Sequence, residues 1–550
     1  MPTKKPSRNP DRLFTGLLLG VVGLRVVHLL FFTRQFDLAG DEAYYWDWGR
    51  RLDWGYYSKP PMIGWLMGLV GRLSGNQEWA LRLAPMLLGT GSLIALHRLA
   101  RAMFGSRTAL LAVLLVVLTP GNAALNLLFT IDAPLVLCWT LALLFFWRAA
   151  ERPAAWGSWL LLAAAIGFGS LSKQMMLVFP VLMVIFAALS PPDRALLRCG
   201  KMWCAIALGA AFLIPVLAWQ QTHGWPTLNH MKEHFEVAHE GEESGPGLVQ
   251  HVVWFVQFPL VQSLLYSPVT WAVVMAVLAS AVRGWRGLDR RGALLVIFSA
   301  PALTVFLLLA LRQEVHPNWP AVFYVSAFVL AAAWIEHAVG GIALGGTWRA
   351  WSRRGVWVGA AMVIVSYVYP LVNGALGLAG HRRLDPFEKL RGWSEAGARA
   401  GEFLRSAPHP ERTFVVVLGH RHYASEMAFC MPQQPRIWRW QSDGRLMSQY
   451  ELWPQPGDEM HGWDALLIYP DSEERDYQKT TPPGALRRAF DSITKLGDIE
   501  VPVGHGVRRS FQVFLLSRLQ RWPEPGRAQP DNDPDAATAE TARRANDRTP

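Results

Sequence analysis

From Leu13 to about residue 380 the chain is a succession of long apolar blocks separated by brief polar breaks. Blocks of about 17–25 residues are what an α-helix needs to cross the hydrocarbon core of a bilayer. A backbone in that solvent has to satisfy its own hydrogen bonds, which leaves helices or closed barrels as the solutions. Charged residues make up 17% of the 550 residues and hydrophobic ones 51%, against about 25% charged in soluble proteins. A purely soluble enzyme and a disordered scaffold are excluded. Spans are expected near 13–32, 79–100, 108–125, 132–149, 158–171, 175–190, 202–221, 265–282, 292–311, 319–338 and 356–378, with 248–264 as an interfacial or partly buried segment.

Eleven spans put the two ends of the chain on opposite sides. With the N-terminus inside, the cytoplasmic stretches hold 19 Lys/Arg and the opposite stretches 8, the asymmetry of the positive-inside rule. Residues after 380 are then outside the cytoplasm. The formal net charge of +11 is accounted for by these short loops, and no nucleic-acid motif accompanies it. Met1–Arg12 precede Leu13–Phe32 without a small-residue cleavage site, so that stretch reads as a first span and not a removed signal. Cys138, Cys199, Cys204 and Cys430 form neither a CxxC nor a plausible extracellular pair, which gives no disulfide framework and no thiolate metal site.

Residues 381–521 have the composition of soluble protein. Short β-rich runs (Thr413–Gly419, Ala465–Pro470, Phe511–Ser517) alternate with helix-like stretches such as Glu388–Arg405, the pattern of a small α/β domain. Residues 522–550 are rich in Pro, Ala, Asp and Arg and read as a disordered tail. The expected division is a membrane domain over 1–380, an outside domain over 381–521 and the tail.

Chemistry-bearing residues gather in the outer loops. The first holds Gly40-Asp41-Glu42-Ala43-Tyr44-Tyr45-Trp46 and Gly55-Tyr56-Tyr57-Ser58-Lys59-Pro60-Pro61. Asp41 and Glu42 also suit a helix start, the aromatic residues an interfacial belt, and Lys59 a snorkelling anchor. Asp132, in Thr130-Ile131-Asp132-Ala133-Pro134, opens a span on the same face, where an N-cap is the structural alternative. Lys173 breaks two apolar spans there; a turn residue is the alternative, though a cation at that depth is costly. Arg312, Asn318 and Trp319 lie in a Pro-framed loop that also reads as a plain tight turn. His230 and His234 have helical i, i+4 spacing but lack the Glu order of a zincin, so the acidic loop 222–247 reads as solvated, with a lid as its alternative role.

The Asp-Glu and Tyr-Tyr-Trp loop, the Tyr-Ser-Lys-Pro-Pro stretch, the Asp-Ala-Pro span start and the Asn-Trp-Pro loop, in that order, resemble the integral-membrane GT-C glycosyltransferases. More narrowly they resemble bacterial relatives of the protein O-mannosyltransferases and the aminoarabinose–lipid A transferase. The resemblance covers 13–380, with Trp393 and the outside domain fitting more loosely. It implies a polytopic α-helical membrane protein of GT-C type, about eleven transmembrane helices, with a C-terminal periplasmic α/β domain. It also implies transfer of one sugar from a polyprenyl-phosphate donor to an acceptor at the periplasmic face of the inner membrane. By the same resemblance Asp41 is the carboxylate that orients or deprotonates the acceptor, with Glu42 and Asp132 as auxiliary acids. Lys59, Lys173 and Arg312 are candidates for the donor phosphate, and Tyr45, Tyr57, Asn318 and Trp319 for the substrate pocket.

Such a reaction needs no nucleotide, and no Gly-rich phosphate loop occurs. No cofactor is expected and no metal site is assigned. Ser58 stands where the aminoarabinose transferases carry an acid before the lysine, which leaves amino-sugar recognition and metal contact through that acid unsupported. The acceptor expected is a glycolipid such as lipid A or its core. A protein O-mannosyltransferase and a flippase of lipid-linked saccharide are the alternatives. A flippase places charge at mid-span, whereas Asp41, Lys59, Asp132 and Arg312 gather at one surface of the expected topology.

Overall fold

The structure, a computed structural model, describes residues 9–235, 247–381, 383–441, 446–471 and 484–522. Of the tail expected over 522–550, Trp522 is instead buried with its ring 4.9 Å from Trp440, and the rest, with His239 of the acidic loop, lies outside the described residues. The chain forms two compact units, Met1–Thr33 with Leu52–Leu371, and Arg34–Arg51 with Val372–Pro550. The sequence boundary at 380 compares with Val372 here, and a piece of the first outer loop belongs with the C-terminal unit.

The first unit is helical. Among the described residues seven helices are long and apolar enough to cross a membrane: Pro10–Phe32, Glu78–Phe104, Asp132–Glu151, Gly200–Thr222, Leu248–Leu265, Arg290–Leu309 and Gly346–Val372. Shorter apolar helices at Trp156–Ser172, Gln174–Leu189, Pro268–Arg283 and Ala321–Ile335 coincide with four more expected spans. Two expectations change. Leu248–Leu265, expected as an interfacial or partly buried segment, is a continuous 18-residue helix long and apolar enough to cross a membrane. Its Gln262 is buried, and its amide N–H donates to the Pro317 carbonyl (2.9 Å), which offsets part of the cost of burying that side chain. The span expected at 108–125 is instead two helices, Ser106–Val117 and Pro120–Leu127, bent by 73°. Pro120 lacks an N–H to continue the first helix, and the Thr119 hydroxyl caps the second by accepting from Asn122 N–H.

The core of this unit is aromatic. Trp139 is fully buried, with the rings of Phe179 and Phe323 each 5.0 Å away. The helices Trp156–Ser172 and Gly200–Ala211 approach closely because Gly209 faces Ile166 and Gly167 faces Phe212, where a Cβ would lie 2.8 and 2.5 Å from those side chains.

The second unit is built on a five-stranded sheet of order β2-β1-β3-β5-β4. The strands are β1 (Thr413–Leu418), β2 (Ile437–Trp440), β3 (Asp464–Pro470), β4 (Phe490–Gly504) and β5 (Val507–Leu519). β1 pairs in parallel with β2 and β3, while β5 is antiparallel to β3 and β4. The expected helix at Glu388–Arg405 starts only at Trp393, because Gly392 takes φ +80°. That helix lacks a capping side chain of its own. Asp37 supplies it, accepting from Trp393 N–H at 2.8 Å and from Ser394 N–H at 3.3 Å.

The Gly40–Gly49 helix is folded into this same unit. Tyr44 OH accepts from Gln449 N–H (2.6 Å), and Tyr450 OH donates to Asp47 (2.9 Å). The rings of Trp46 and Phe429 are 5.0 Å apart. Tyr44, Tyr45 and Trp46 are buried here, so they are core residues and not the interfacial belt that their composition suggested.

Candidate active site

In the second unit, Ala39 is the N-cap of the Gly40–Gly49 helix, and Glu42 turns back to accept the Ala39 N–H at 3.0 Å. Glu42 is therefore a buried capping residue in geometry. Asp41, one residue earlier, is half exposed, and its Oδ1 lies 3.1 Å from His422 Nε2 and 3.7 Å from an Arg421 nitrogen. Both partners sit at the start of the Arg421–Cys430 helix, directly after β1 and the turn at Gly419 (φ +103°). Burial, then the neighbouring His422, Arg421 and Arg439, push the His420 pKa down to about 3. Tyr45 lies in the core beside Trp48, at 5.0 Å between ring centroids.

In the first unit, three loops far apart in sequence meet. Asp132 is the first residue of its helix, after the N-cap Ile131. Its Oδ1 accepts from Lys173 Nζ at 2.8 Å and its Oδ2 from Asn318 Nδ2 at 2.6 Å. Lys173 reaches it because the chain turns extended (φ −158°, ψ 141°) between the Trp156–Ser172 helix and the 3-10 turn Gln174–Leu177. Both charges are buried, and each meets the other's desolvation cost.

Asp132 and Asn318 form the polar end of a cavity of about 280 Å³, otherwise largely apolar, bounded by Asn122, Leu125, Tyr266 and Tyr324 among others. The Tyr266 and Tyr324 rings are 4.0 Å apart, and Trp271 Nε1 donates to Tyr324 OH at 3.0 Å. The broken helix pair contributes Thr119, Gly121 and Asn122 to this wall, the usual setting for interrupted backbone at membrane depth.

Lys59 is half-buried, on a turn set by Tyr56. Tyr56 N–H donates to the Lys59 carbonyl (3.2 Å), and the Tyr56 carbonyl accepts from Thr227 Oγ1 (3.0 Å). Tyr57 is buried with its ring 5.0 Å from His230. Trp319 is half-buried near His316. Arg312 is exposed, and among the described residues its side chain has no hydrogen-bond or ion-pair partner. Among the described residues no group of three or more His, Cys, Asp and Glu is arranged to hold a metal ion. Asp132, Lys173 and Asn318 are thus brought together as one cluster. Sequence reasoning missed Arg421 and His422, although the Gly419-His420-Arg421-His422 run at the carboxyl end of a β-rich stretch was a usable signal.

Residues 58–219 match the family described as dolichyl-phosphate-mannose-protein mannosyltransferase. The backbone superimposes on the apo crystal structure of ArnT from Cupriavidus metallidurans with a TM-score of 0.59 and 17% identity, covering 91% of this chain and 98% of that one. The same protein bound to undecaprenyl phosphate matches with a TM-score of 0.58 and 18% identity, over 92% and 97% of the two chains. The chain therefore has the fold of ArnT, mostly helical with several helices long and apolar enough to cross a membrane and a small C-terminal sheet domain, and its 58–219 segment is similar to the mannosyltransferase family. Among characterised relatives, the lipid A galacturonosyltransferase RgtD of Rhizobium johnstonii is 29% identical over 327 residues. That match spans 59% of this chain and 66% of RgtD, so about a third of the relative's length lies outside it.

Proposed function

We propose that the protein transfers a single sugar from a polyprenyl-phosphate donor to a glycolipid acceptor of the lipid A or core type. The reaction takes place at the periplasmic face of the bacterial inner membrane, with the N-terminus cytoplasmic and the C-terminal domain periplasmic. The observation that supports this reading is the largely apolar cavity lined by Asp132 and Asn318. An apolar wall with one charged, hydrogen-bonded end suits an amphipathic lipid better than a soluble nucleotide sugar. The names of the relatives support it: one acts on lipid A with galacturonic acid, and one was crystallised with undecaprenyl phosphate.

In this scheme the acceptor oxygen attacks the anomeric carbon, and the bond from that carbon to the donor phosphate oxygen breaks. Polyprenyl phosphate leaves with the bond's electron pair. Asp41 orients the acceptor and takes its proton where the acceptor is a hydroxyl. Lys59 binds the donor phosphate, and Lys173, with Arg312, stabilises the charge that develops on it as it departs. Asp132 keeps Lys173 in place, and Tyr57, Asn318 and Trp319 line the sugar's surroundings.

The test is mass spectrometry of envelope glycolipids from cells carrying the intact gene or Asp41→Asn alone. A sugar-sized mass absent only in the variant supports the assignment and names the acceptor. Unchanged glycolipids at normal protein levels overturn it in favour of the second reading, a protein acceptor, which the mannosyltransferase match over 58–219 favours.

A further inference from the structure

We infer that His422, from the C-terminal unit, is a positioning residue for the Asp41 carboxylate. The inference rests on the proposed role of Asp41 in transfer. It gives a residue of the C-terminal part of the chain an effect on the reaction, through Asp41 of the same unit.

The contact is built from both sides. Oδ1 of Asp41 lies 3.1 Å from His422 Nε2, within hydrogen-bond reach. The backbone around it allows this approach only because residue 40 is glycine. A Cβ there would lie 2.7 Å from His422 Cγ. Ser425 Oγ sits within hydrogen-bond distance of both the Gly40 carbonyl (3.2 Å) and the His422 carbonyl (3.1 Å), tying the two helix starts together. On the other side of the ring, His420 stacks edge-on at 4.3 Å, and its Nδ1 accepts the His422 backbone N–H at 3.4 Å. With its pKa pushed down to about 3, His420 stays neutral near pH 7 and keeps that acceptor. His422 is thus wedged against Gly40, with its Nε2 directed at the one half-exposed carboxylate of the Gly40–Gly49 helix start.

The chemistry follows from the direction of the bond. A donor on Oδ1 favours the ionised carboxylate and fixes its plane, which a base or acceptor-orienting group requires. The charged and titratable groups around His422 are Asp41 from the facing helix, His420 and Arg421 on its own turn, and Arg439 on β2 acting through His420. Arg421, at 3.7 Å, supplies a residual charge when His422 is removed.

The experiment uses the purified full chain in detergent, with polyprenyl-phosphate-linked galacturonic acid and lipid A, and measures rate against pH. His422→Ala is expected to lower kcat about 10- to 100-fold with the donor KM within about threefold. Its acid limb is expected to move up by about one pH unit, because ionised Asp41 has lost a favourable donor. His422→Gln, which restores an N–H, is expected to recover to within about fivefold of the parent. A parental kcat and acid limb in His422→Ala, or equal losses in the Ala and Gln variants, overturns the inference. Asp41→Asn run alongside separates the two claims: activity in that variant overturns the role of Asp41 itself. An inactive Asp41→Asn beside a fully active His422→Ala overturns only the positioning role.

Discussion

Lys173 Nζ and Asp132 Oδ1 are 2.8 Å apart, both buried, and join the start of the Asp132–Glu151 helix to the break after the Trp156–Ser172 helix. Asn318 completes the arrangement on the second carboxylate oxygen at 2.6 Å. Neither charge is affordable alone in this setting, so each residue fixes the loop that carries the other.

Removing one partner should therefore be worse than removing both. Lys173→Met is expected to cost about 3–5 kcal/mol, because it strands a buried carboxylate. Lys173→Met with Asp132→Asn should recover most of that. Thermal unfolding in detergent checks it, and equal melting of the single and double variants would count against the pair.

Gly89 of the Glu78–Phe104 helix gives a packing test. A Cβ there would fall 1.7 Å from Asn126 Oδ1, the atom that accepts from Arg25 Nη1 at 2.8 Å. Gly89→Ala must displace Asn126 and is expected to cost about 1–3 kcal/mol through a poorly satisfied buried arginine. Gly91→Ala, two residues on, meets only the mobile end of Leu137 at 3.3 Å and should be close to neutral. The comparison needs only two melting curves.

The depressed pKa of His420 makes a pH prediction with a definite sign. Above about 6.5 the ring is neutral in both folded and unfolded chains, and it costs nothing. As pH falls from 6.5 towards 3 the unfolded chain takes up a proton that the folded one refuses, so stability declines over that window. His420→Asn removes the titration and should flatten this part of the curve, read as melting temperature against pH.

Lys59 is proposed to hold the donor phosphate as a point charge. Lys59→Met is expected to lower kcat/KM about 10- to 100-fold, chiefly through donor KM, and Lys59→Arg to retain part of it. Steady-state kinetics with varied polyprenyl-phosphate donor distinguishes this from a snorkelling anchor, which would leave KM unchanged.

Most of the span pattern and the β1, β3 and β5 segments were readable from local periodicity, and Asp132, Lys173 and Asn318 each stood out as polar residues beside apolar spans, but that the three meet was not in the sequence. The rest depends on contacts that periodicity does not carry. β2 is only Ile437–Trp440, and β4 is mostly exposed until Ile499, alternating only in its last residues where Pro502 interrupts the run. The break at Thr119–Pro120 and the late start at Trp393 are set by single residues inside otherwise helical stretches. Tyr44, Tyr45 and Trp46 match an interfacial belt in composition, whereas Tyr44 meets Gln449 and Tyr450, and Trp46 meets Phe429, partners nearly 400 residues or more away. Asp41 stood out in sequence, whereas His422, 381 positions later, had no local reason to be joined to it.

The placement of Arg34–Arg51 within the C-terminal unit also bears on biosynthesis. Tyr44 emerges from the ribosome 405 residues before Gln449, the residue that donates to its hydroxyl. At about 5–20 residues per second, the Gly40–Gly49 helix waits some 20 to 80 s for the surface that will cover it. During that interval the helices after it are already being handed to the membrane. The segment bearing Asp41 is made long before the residues that complete its fold.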